Sequence, residues 1–157
     1  MRNKNLPKLL SEFAYNFNPS NLPISSSSIF KICLADWVSV SIAAQGSKIA
    51  KIILSLAKEE GRVQDSFIFG HKSYVSCKTA ALINGTISHA LDYDDTHFDY
   101  LGHPSVVVLS AALAISDKYK LSFEEFKNAS IIGMETSCRI GKCCLLYTSD
   151  AADDETS

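Results

Sequence analysis

The residues best suited to chemistry are concentrated in one polar stretch that lies between two apolar segments. It holds three of the chain's four histidines, four aspartates and a threonine: His89, Asp92, Asp94, Asp95, Thr96, His97, Asp99 and His103. Histidine exchanges protons near neutral pH, and a carboxylate either orients an imidazole or helps to hold a cation. The mixture therefore indicates a site that moves protons or binds a cation.

Three interpretations of this stretch are open from the residues alone. In the first, His103 is a general acid or base, Asp92 orients it, and Thr96 donates a hydrogen bond to the substrate. In the second, the four residues His89, Asp92, His97 and His103 bind a divalent metal. Their spacing matches neither the HExxH zinc pattern nor an EF-hand loop, so we assign no metal ligand. In the third, the Asp-Asp-Thr sequence is only a structural turn.

Two helices are expected to position these groups. The first begins after the capping residue Ser76 and runs from Cys77 to about Leu91. If it continues to Thr96, then His89, Asp92 and Thr96 share one face, whereas Asp94 and Asp95 point elsewhere. The second helix has Pro104 in its first turn and is apolar almost all round from Val106 to Tyr119, which predicts burial.

The residue before a proline favours extended backbone, and this geometry would aim the His103 ring back at the preceding helix. Free amide groups at the start of the second helix would attract an anion, such as a substrate carboxylate. The two helix ends together are thus expected to form the site.

The rest of the chain also has mostly helical periodicity. Helices are predicted over Leu6–Phe17, over Phe30–Ala44, from Ser47 to Glu60, and from a Ser122–Glu125 capping box to about Gly141. Only Val63–Tyr74 does not fit a helix, and a short strand or a packed loop is expected at 66–70. Strands do not alternate with helices and no GxGxxG motif occurs, so the fold class is all-α, a multi-helix bundle.

Composition excludes several classes of protein. The formal net charge of −2 over 157 residues gives no basic footprint for nucleic acid. No apolar run reaches the roughly 20 residues that cross a bilayer, and the N-terminus lacks a signal-peptide core. The five cysteines are scattered, which favours a reducing, cytoplasmic location.

The C-terminal residues differ in character from the rest. The string Cys-Leu-Leu-Tyr-Thr-Ser-Asp-Ala-Ala-Asp, which starts at Cys144, is similar to a translated sequencing-library adapter. We therefore divide the chain into residues 1–143, part of a helical domain, and residues 144–157, a tail expected to be non-native.

A family resemblance is carried by three segments. Ala80–Thr86, His89–His97 with its Asp-Tyr-Asp-Asp-Thr core, and His103-Pro104-Ser105 resemble the MmgE/PrpD family, and Leu34–Val38 with Ala43–Ser47 is similar to an earlier helix of that family. The likeness extends roughly from Leu9 to Gly141. One difference is an apparent extra residue between Thr96 and His103, in comparison with cis-aconitate decarboxylase.

The resemblance implies a larger protein and a reaction class. Family members include 2-methylcitrate dehydratase, cis-aconitate decarboxylase and iminodisuccinate epimerase. They have a large helical domain, of which this chain would be the N-terminal part, and a smaller α+β domain. They are commonly homodimers that act on small di- or tricarboxylates without an organic cofactor and generally without a required metal.

The resemblance also implies roles for individual residues. His103 and Asp92 would be the catalytic, proton-handling pair, and Thr96 and His97 would bind substrate. The family's pocket also uses lysines from later in the chain, so this fragment alone is expected to be inactive.

The resulting interpretation is a hydro-lyase fragment that resembles 2-methylcitrate dehydratase, an enzyme of propionate catabolism. A decarboxylase or an epimerase acting on a related acid is the alternative within the family. A non-catalytic helical module that binds a metal or a partner is the alternative outside this class of reaction.

Overall fold

The computed structural model describes residues 5–60, 63–98 and 100–154. Its helices are α1 (Leu6–Tyr15), α2 (Ile24–Ala43), α3 (Lys48–Ile53), α4 (Leu56–Glu59), α5 (Cys77–Ser88), α6 (Pro104–Tyr119) and α7 (Phe123–Asp154), and 3-10 turns occur at Pro19–Asn21 and Ala44–Gly46. Two short strands, β1 (Ser66–Phe67) and β2 (Tyr74–Val75), form an antiparallel hairpin in the segment that lacked helical periodicity. The all-α, multi-helix prediction is confirmed.

Several helix boundaries follow from capping side chains. Ser76 accepts a hydrogen bond from the Thr79 amide at the start of α5, and Ser47 accepts one from Ala50 at the start of α3. Ser122 and Glu125 form the predicted capping box, with reciprocal hydrogen bonds between each side chain and the other residue's amide. These short-range signals were read correctly.

Other predicted boundaries are wrong. α2 begins at Ile24, directly after Pro23, six residues before its predicted start at Phe30. The segment expected to be one helix up to Glu60 breaks at Leu54 and Ser55 into α3 and α4. α7 continues past Gly141 to Asp154, because no proline interrupts residues 142–154 and a single glycine costs a long helix only about 1 kcal/mol.

The core has two parts that meet at α6. One packs α5 against α3, the hairpin and α6, and contains Ala44, Ala50, Ile68, Val75, Ala80, Ile83, Ile87 and Ala114. The other packs α2, α6 and α7, and contains Phe30, Trp37, Leu109, Phe126 and Ile131. α6 is therefore the central helix, as its apolar composition indicated, although Val107 and Ile115 on its outer side remain exposed.

Close helix contacts hold α6 in place. The Trp37 indole donates a hydrogen bond to Ser110 Oγ over 3.2 Å, which joins α2 to α6. Gly133 lies directly against Val108, so that a Cβ atom at this position would come within 2.8 Å of Val108 Cγ1. The short distance between α6 and α7 thus depends on a residue that has no side chain.

α2 is also unusually apolar. The expectation that no apolar segment reaches the length of a membrane span is wrong for α2 and the turn that follows: Ile24–Gly46 is long and apolar enough to cross a membrane by length and composition alone. This is weak evidence for a membrane span, because core helices of soluble proteins pass the same test. Phe30, Trp37 and Val40 are buried against the rest of the bundle, whereas Ile29, Ile32 and Ile42 are exposed. α2 therefore presents an exposed apolar face.

Candidate active site

The polar stretch is a turn between α5 and α6 and not an extension of α5. α5 ends at Ser88, and Asp92 has a φ angle of 55°, in the left-handed region that aspartate tolerates better than most residues. The helix predicted to run to about Leu91 thus ends three residues earlier, and the condition under which His89, Asp92 and Thr96 would share one helix face is not met. The reversal at Asp92 sends the chain back toward the start of α6.

His103 is placed as its neighbouring proline predicted. Its backbone is extended, with φ −106° and ψ 91°, and Pro104 is the first residue of α6. Its ring lies edge-on to the ring of His89, with 4.7 Å between centroids. The two helix ends thus bring two imidazoles into contact, across a gap of fourteen positions in the sequence.

Asp94 joins these two imidazoles. Its Oδ1 is 2.8 Å from His89 Nδ1, and its Oδ2 is 3.4 Å from His103 Nδ1. His103 Nδ1 is also 3.1 Å from the main-chain oxygen of Asp94. The Asp94 side chain is only 1% exposed, and its Oδ2 has no hydrogen-bond partner in the structure. A buried carboxylate between two imidazoles is the central element of the site.

Asp92 lies on the other side of the same pair. Its Oδ1 is 3.8 Å from His89 Nε2 and 3.7 Å from His103 Nε2, and its side chain is 81% exposed. These distances are too long for hydrogen bonds but short enough for a charge interaction. The structure therefore brings together the predicted pair His103 and Asp92. It adds Asp94, which we had expected to point elsewhere.

Asp95 has a different task from Asp94. Its carboxylate accepts hydrogen bonds from the amide and the hydroxyl of Ser105, over 3.2 and 2.6 Å, and so caps α6. Its own amide donates to Asp36 Oδ2 on α2 over 3.0 Å. One of the amides that we expected to attract a substrate carboxylate, that of Ser105, is thus occupied by a carboxylate of the protein itself. Burial raises the pKa of the Cys33 thiol, and the nearby Asp95 charge raises that pKa further.

The two predicted substrate-binding residues line a different cavity from His103. Thr96 and His97 border a cavity of about 600 Å³ between α2, the start of α6 and α7, together with Cys33, Asp95, Arg139 and Lys142. His89 and His103 border a cavity of about 680 Å³ on the side of Gly85 and Val107. The turn therefore presents Thr96 and His97 on one side and the imidazole pair on the other.

A small loop closes the turn. His97 and Gly102 form an isolated antiparallel bridge, in which the His97 amide donates to the Gly102 oxygen over 3.0 Å. The apparent extra residue relative to cis-aconitate decarboxylase falls in the stretch from Thr96 to His103, most of which this loop occupies. Asp99, in the same loop, lies outside the described residues.

The sequence did not identify Asp94 as a site residue, because its side chain was expected to point away from His89 and Asp92 if the helix continued to Thr96. A signal was available, since an aspartate in an Asp-Tyr-Asp-Asp turn is free to bond inward once the helix ends. Asp94 and Asp95 lie on opposite sides of the turn because the backbone reverses at Asp92, and the sequence does not reveal this reversal.

Comparison with known proteins adds the family to this geometry. A search of curated proteins found no match to the chain. The family model of the MmgE/PrpD N-terminal domain, in contrast, matches residues 8–150, which include every helix that contributes to the turn and its two cavities. The chain belongs to the MmgE/PrpD family.

Proposed function

We propose that this domain is part of a lyase that acts on a small di- or tricarboxylate, with 2-methylcitrate dehydration as the leading candidate reaction. Family membership supports a link to dehydratase-like and decarboxylase-like enzymes. The observation that carries the proposal further is the placement of His103, whose ring lies at the mouth of a cavity with a carboxylate next to each of its two nitrogens.

The reaction requires removal of a proton from a carbon next to a carboxylate, after which hydroxide leaves the adjacent carbon as water. His103 is the proposed base, because a neutral imidazole can accept this proton through Nε2 and return it to the leaving oxygen. Asp94 acts as a positioning residue, since its carboxylate and its main-chain oxygen both lie next to His103 Nδ1. Asp92, near Nε2, stabilises the imidazolium that forms.

The cavity bordered by Thr96 and His97 is the proposed contact for the substrate's carboxylates. Arg139 and Lys142 contribute cationic side chains to its lining, although Arg139 also pairs with Glu135 over 3.2 Å. Because this cavity and the imidazole pair lie on opposite sides of the turn, we propose that a substrate contacting both requires further parts of the family's fold. The 157-residue chain alone is accordingly proposed to be inactive, and the complete enzyme to be a cytoplasmic homodimer.

The test begins with the source gene. Its reading frame would be determined across and beyond codon 143, and the encoded protein would be purified and supplied with 2-methylcitrate. Decarboxylation of cis-aconitate and epimerisation of iminodisuccinate would be measured in parallel, since the family performs all three reactions. Turnover of 2-methylcitrate alone supports the dehydratase proposal, and turnover of another of these acids replaces it with that activity.

His103→Asn is the diagnostic variant. Loss of a general base lowers kcat by about 10²- to 10⁴-fold. His71→Asn is the matched control, because His71 lies in the hairpin and contacts Gln45, away from the turn. Equal activity of the His103 variant and the wild-type protein would refute its assignment as the base.

A further inference from the structure

We propose that His89, Asp94 and His103 form a binding site for one divalent transition-metal ion of the Zn²⁺ type. This inference goes beyond the proposed function, since the ion would occupy the imidazole that acts there as the base. It also differs from the ligand set that the sequence suggested, because His97 lies on the other side of the turn and Asp94 takes the place of Asp92.

The first argument is the geometry of the donors. One ligand atom from each of the three residues can be chosen so that all three lie within 4.8 Å of one another. Zinc bonds of 2.0–2.1 Å in a tetrahedron place neighbouring ligand atoms about 3.3 Å apart. The 3.4 Å between Asp94 Oδ2 and His103 Nδ1 fits this spacing, and His89 Nδ1 lies 2.8 Å from the other oxygen of the same carboxylate, Oδ1.

The second argument is an unsatisfied buried atom. Asp94 Oδ2 is buried without a hydrogen-bond partner, although the Asp94 side chain is almost fully excluded from solvent. Burying a carboxylate is costly unless its oxygens are paired, and a bound cation would supply the missing partner. Asp94 Oδ2 lies 3.4 Å from His103 Nδ1, the nitrogen that would bind the same ion.

The third argument is the outer surroundings of the pair. Metal-bound histidines usually direct their other ring nitrogen at a carboxylate or a similar acceptor. With the ion on the Nδ1 side, the Nε2–H groups of both rings would face Asp92 Oδ1, which is 3.8 Å from His89 and 3.7 Å from His103. The rings are 43% and 24% exposed at the side chain and border an open cavity, so an ion and a water ligand have a route of entry.

The test uses the 157-residue chain and Zn²⁺ alone. Zn²⁺ would be titrated by calorimetry into the wild-type protein and into Asp94→Asn, a change that keeps the volume of the side chain. We expect one ion per wild-type chain and affinity at least about tenfold weaker in the variant. His89→Gln, at a half-exposed position, is the second variant and should weaken binding similarly even if Asp94→Asn disturbs folding.

Two controls distinguish this site from others on the chain. Asp92→Asn removes only the outer partner of the two rings and should weaken binding by about tenfold, less than either ligand substitution, and His97→Asn should not change it. Because the chain has five cysteines, Co²⁺ would be added in a parallel titration, where thiolate ligands give an intense near-ultraviolet band that nitrogen and oxygen ligands do not.

The contrary outcomes are specific. Absence of binding, equal affinity in Asp94→Asn and His89→Gln, a thiolate band at one equivalent of Co²⁺, or loss of binding only in Asp92→Asn would each overturn the assignment. Binding is measured without substrate, so its failure leaves the proposed lyase activity untouched, and a failure of turnover leaves the metal site untouched.

Discussion

Asp94 and Asp95 are adjacent in the chain, yet they serve two different regions of the molecule. Asp94 faces the imidazoles of His89 and His103, at the junction of α5 and α6. The Asp95 side chain points to the opposite side of the turn, where it accepts hydrogen bonds from Ser105 at the start of α6. Among the described interactions, none joins Asp95 to His89 or His103. One carboxylate borders reactive groups, and the other holds the framework that carries them.

The difference shows how one short turn provides both structure and chemistry. Successive side chains in extended or turning backbone point to opposite sides, so neighbouring residues of the same type can have unrelated roles. The hydrogen bonds of Asp95 fix where α6 begins. They thereby also fix the backbone of His103, the residue directly before α6. The Asp94 side then orients the ring. Three substitutions would test this division, and they are described in order of decreasing expected effect.

Asp95→Asn should have the largest effect on stability. The change removes a charge that the hydroxyl and amide of buried Ser105 both contact, and charge-assisted hydrogen bonds are worth about 1.5–3 kcal/mol. We expect the free energy of unfolding in urea to fall by about 2–3 kcal/mol. Asp92→Asn is the control, because that exposed side chain should change stability by no more than about 0.5 kcal/mol. Equal losses in the two variants would show that Asp95 is not structural.

Gly133→Ala should sharpen the comparison by disturbing only the side of the turn that faces α7. The added Cβ atom would meet Val108 Cγ1 at 2.8 Å, and a β-branched side chain cannot easily rotate away. Overpacking costs about 1–3 kcal/mol and the helix gains about 1 kcal/mol from alanine, so we expect a net loss of up to about 2 kcal/mol.

The matched control for this substitution is Gly46→Ala, where an added Cβ atom has no neighbour within 4 Å. Amide chemical shifts of His89 and Asp94 should stay unchanged in Gly133→Ala, whereas those near Thr96 should move. Shifts of similar size on both sides of the turn would contradict the division.

Glu60→Gln should have the smallest effect and extends the comparison to a second capping carboxylate. Glu60 accepts hydrogen bonds from the amide and hydroxyl of Ser76 and from the hydroxyl of Thr79, at the start of α5. Burial alone would raise the pKa of Glu60, but these hydrogen bonds outweigh it and lower the pKa below its usual value. We expect a loss of about 1 kcal/mol at neutral pH.

The sign of its pH dependence follows from the lowered pKa. The stabilisation by Glu60 is fully present above the pKa of the unfolded state and disappears as the pH falls through the lower pKa of the folded state. Wild-type protein and Glu60→Gln should therefore converge in stability in acid. Glu59→Gln, at the exposed neighbouring position, is the matched control. A constant difference in stability between the wild type and Glu60→Gln across the pH range would refute the proposed cause.

The sequence predicted those features that depend on nearby residues. The caps at Ser47 and Ser76, the Ser122–Glu125 box, the start of α6 at Pro104 and the extended backbone of His103 all follow from a side chain and an amide within a few positions. The family resemblance is confirmed by the match over residues 8–150.

Features that depend on tertiary contacts were not predictable in this way. The end of α5 at Ser88 is set by a turn that places Asp94 against two rings and Asp95 against Ser105 and Asp36, which come from separate helices. Periodicity in the sequence cannot reveal these partners, so the predicted helix end at about Leu91 was three residues too late and the position of Asp94 was not foreseen. The roles of His103, Asp92, Thr96 and His97 remain predictions for the experiments above.

The bridge between His97 and Gly102 bears on how this turn can change in evolution. Residues enclosed by the bridge can be gained or lost while its two ends stay paired, so length differences among relatives are tolerated there. A single insertion between Asp92 and Asp95 would instead exchange the sides on which the two carboxylates lie. We therefore expect natural insertions and deletions to collect after His97 and to be absent from the Asp-Tyr-Asp-Asp segment.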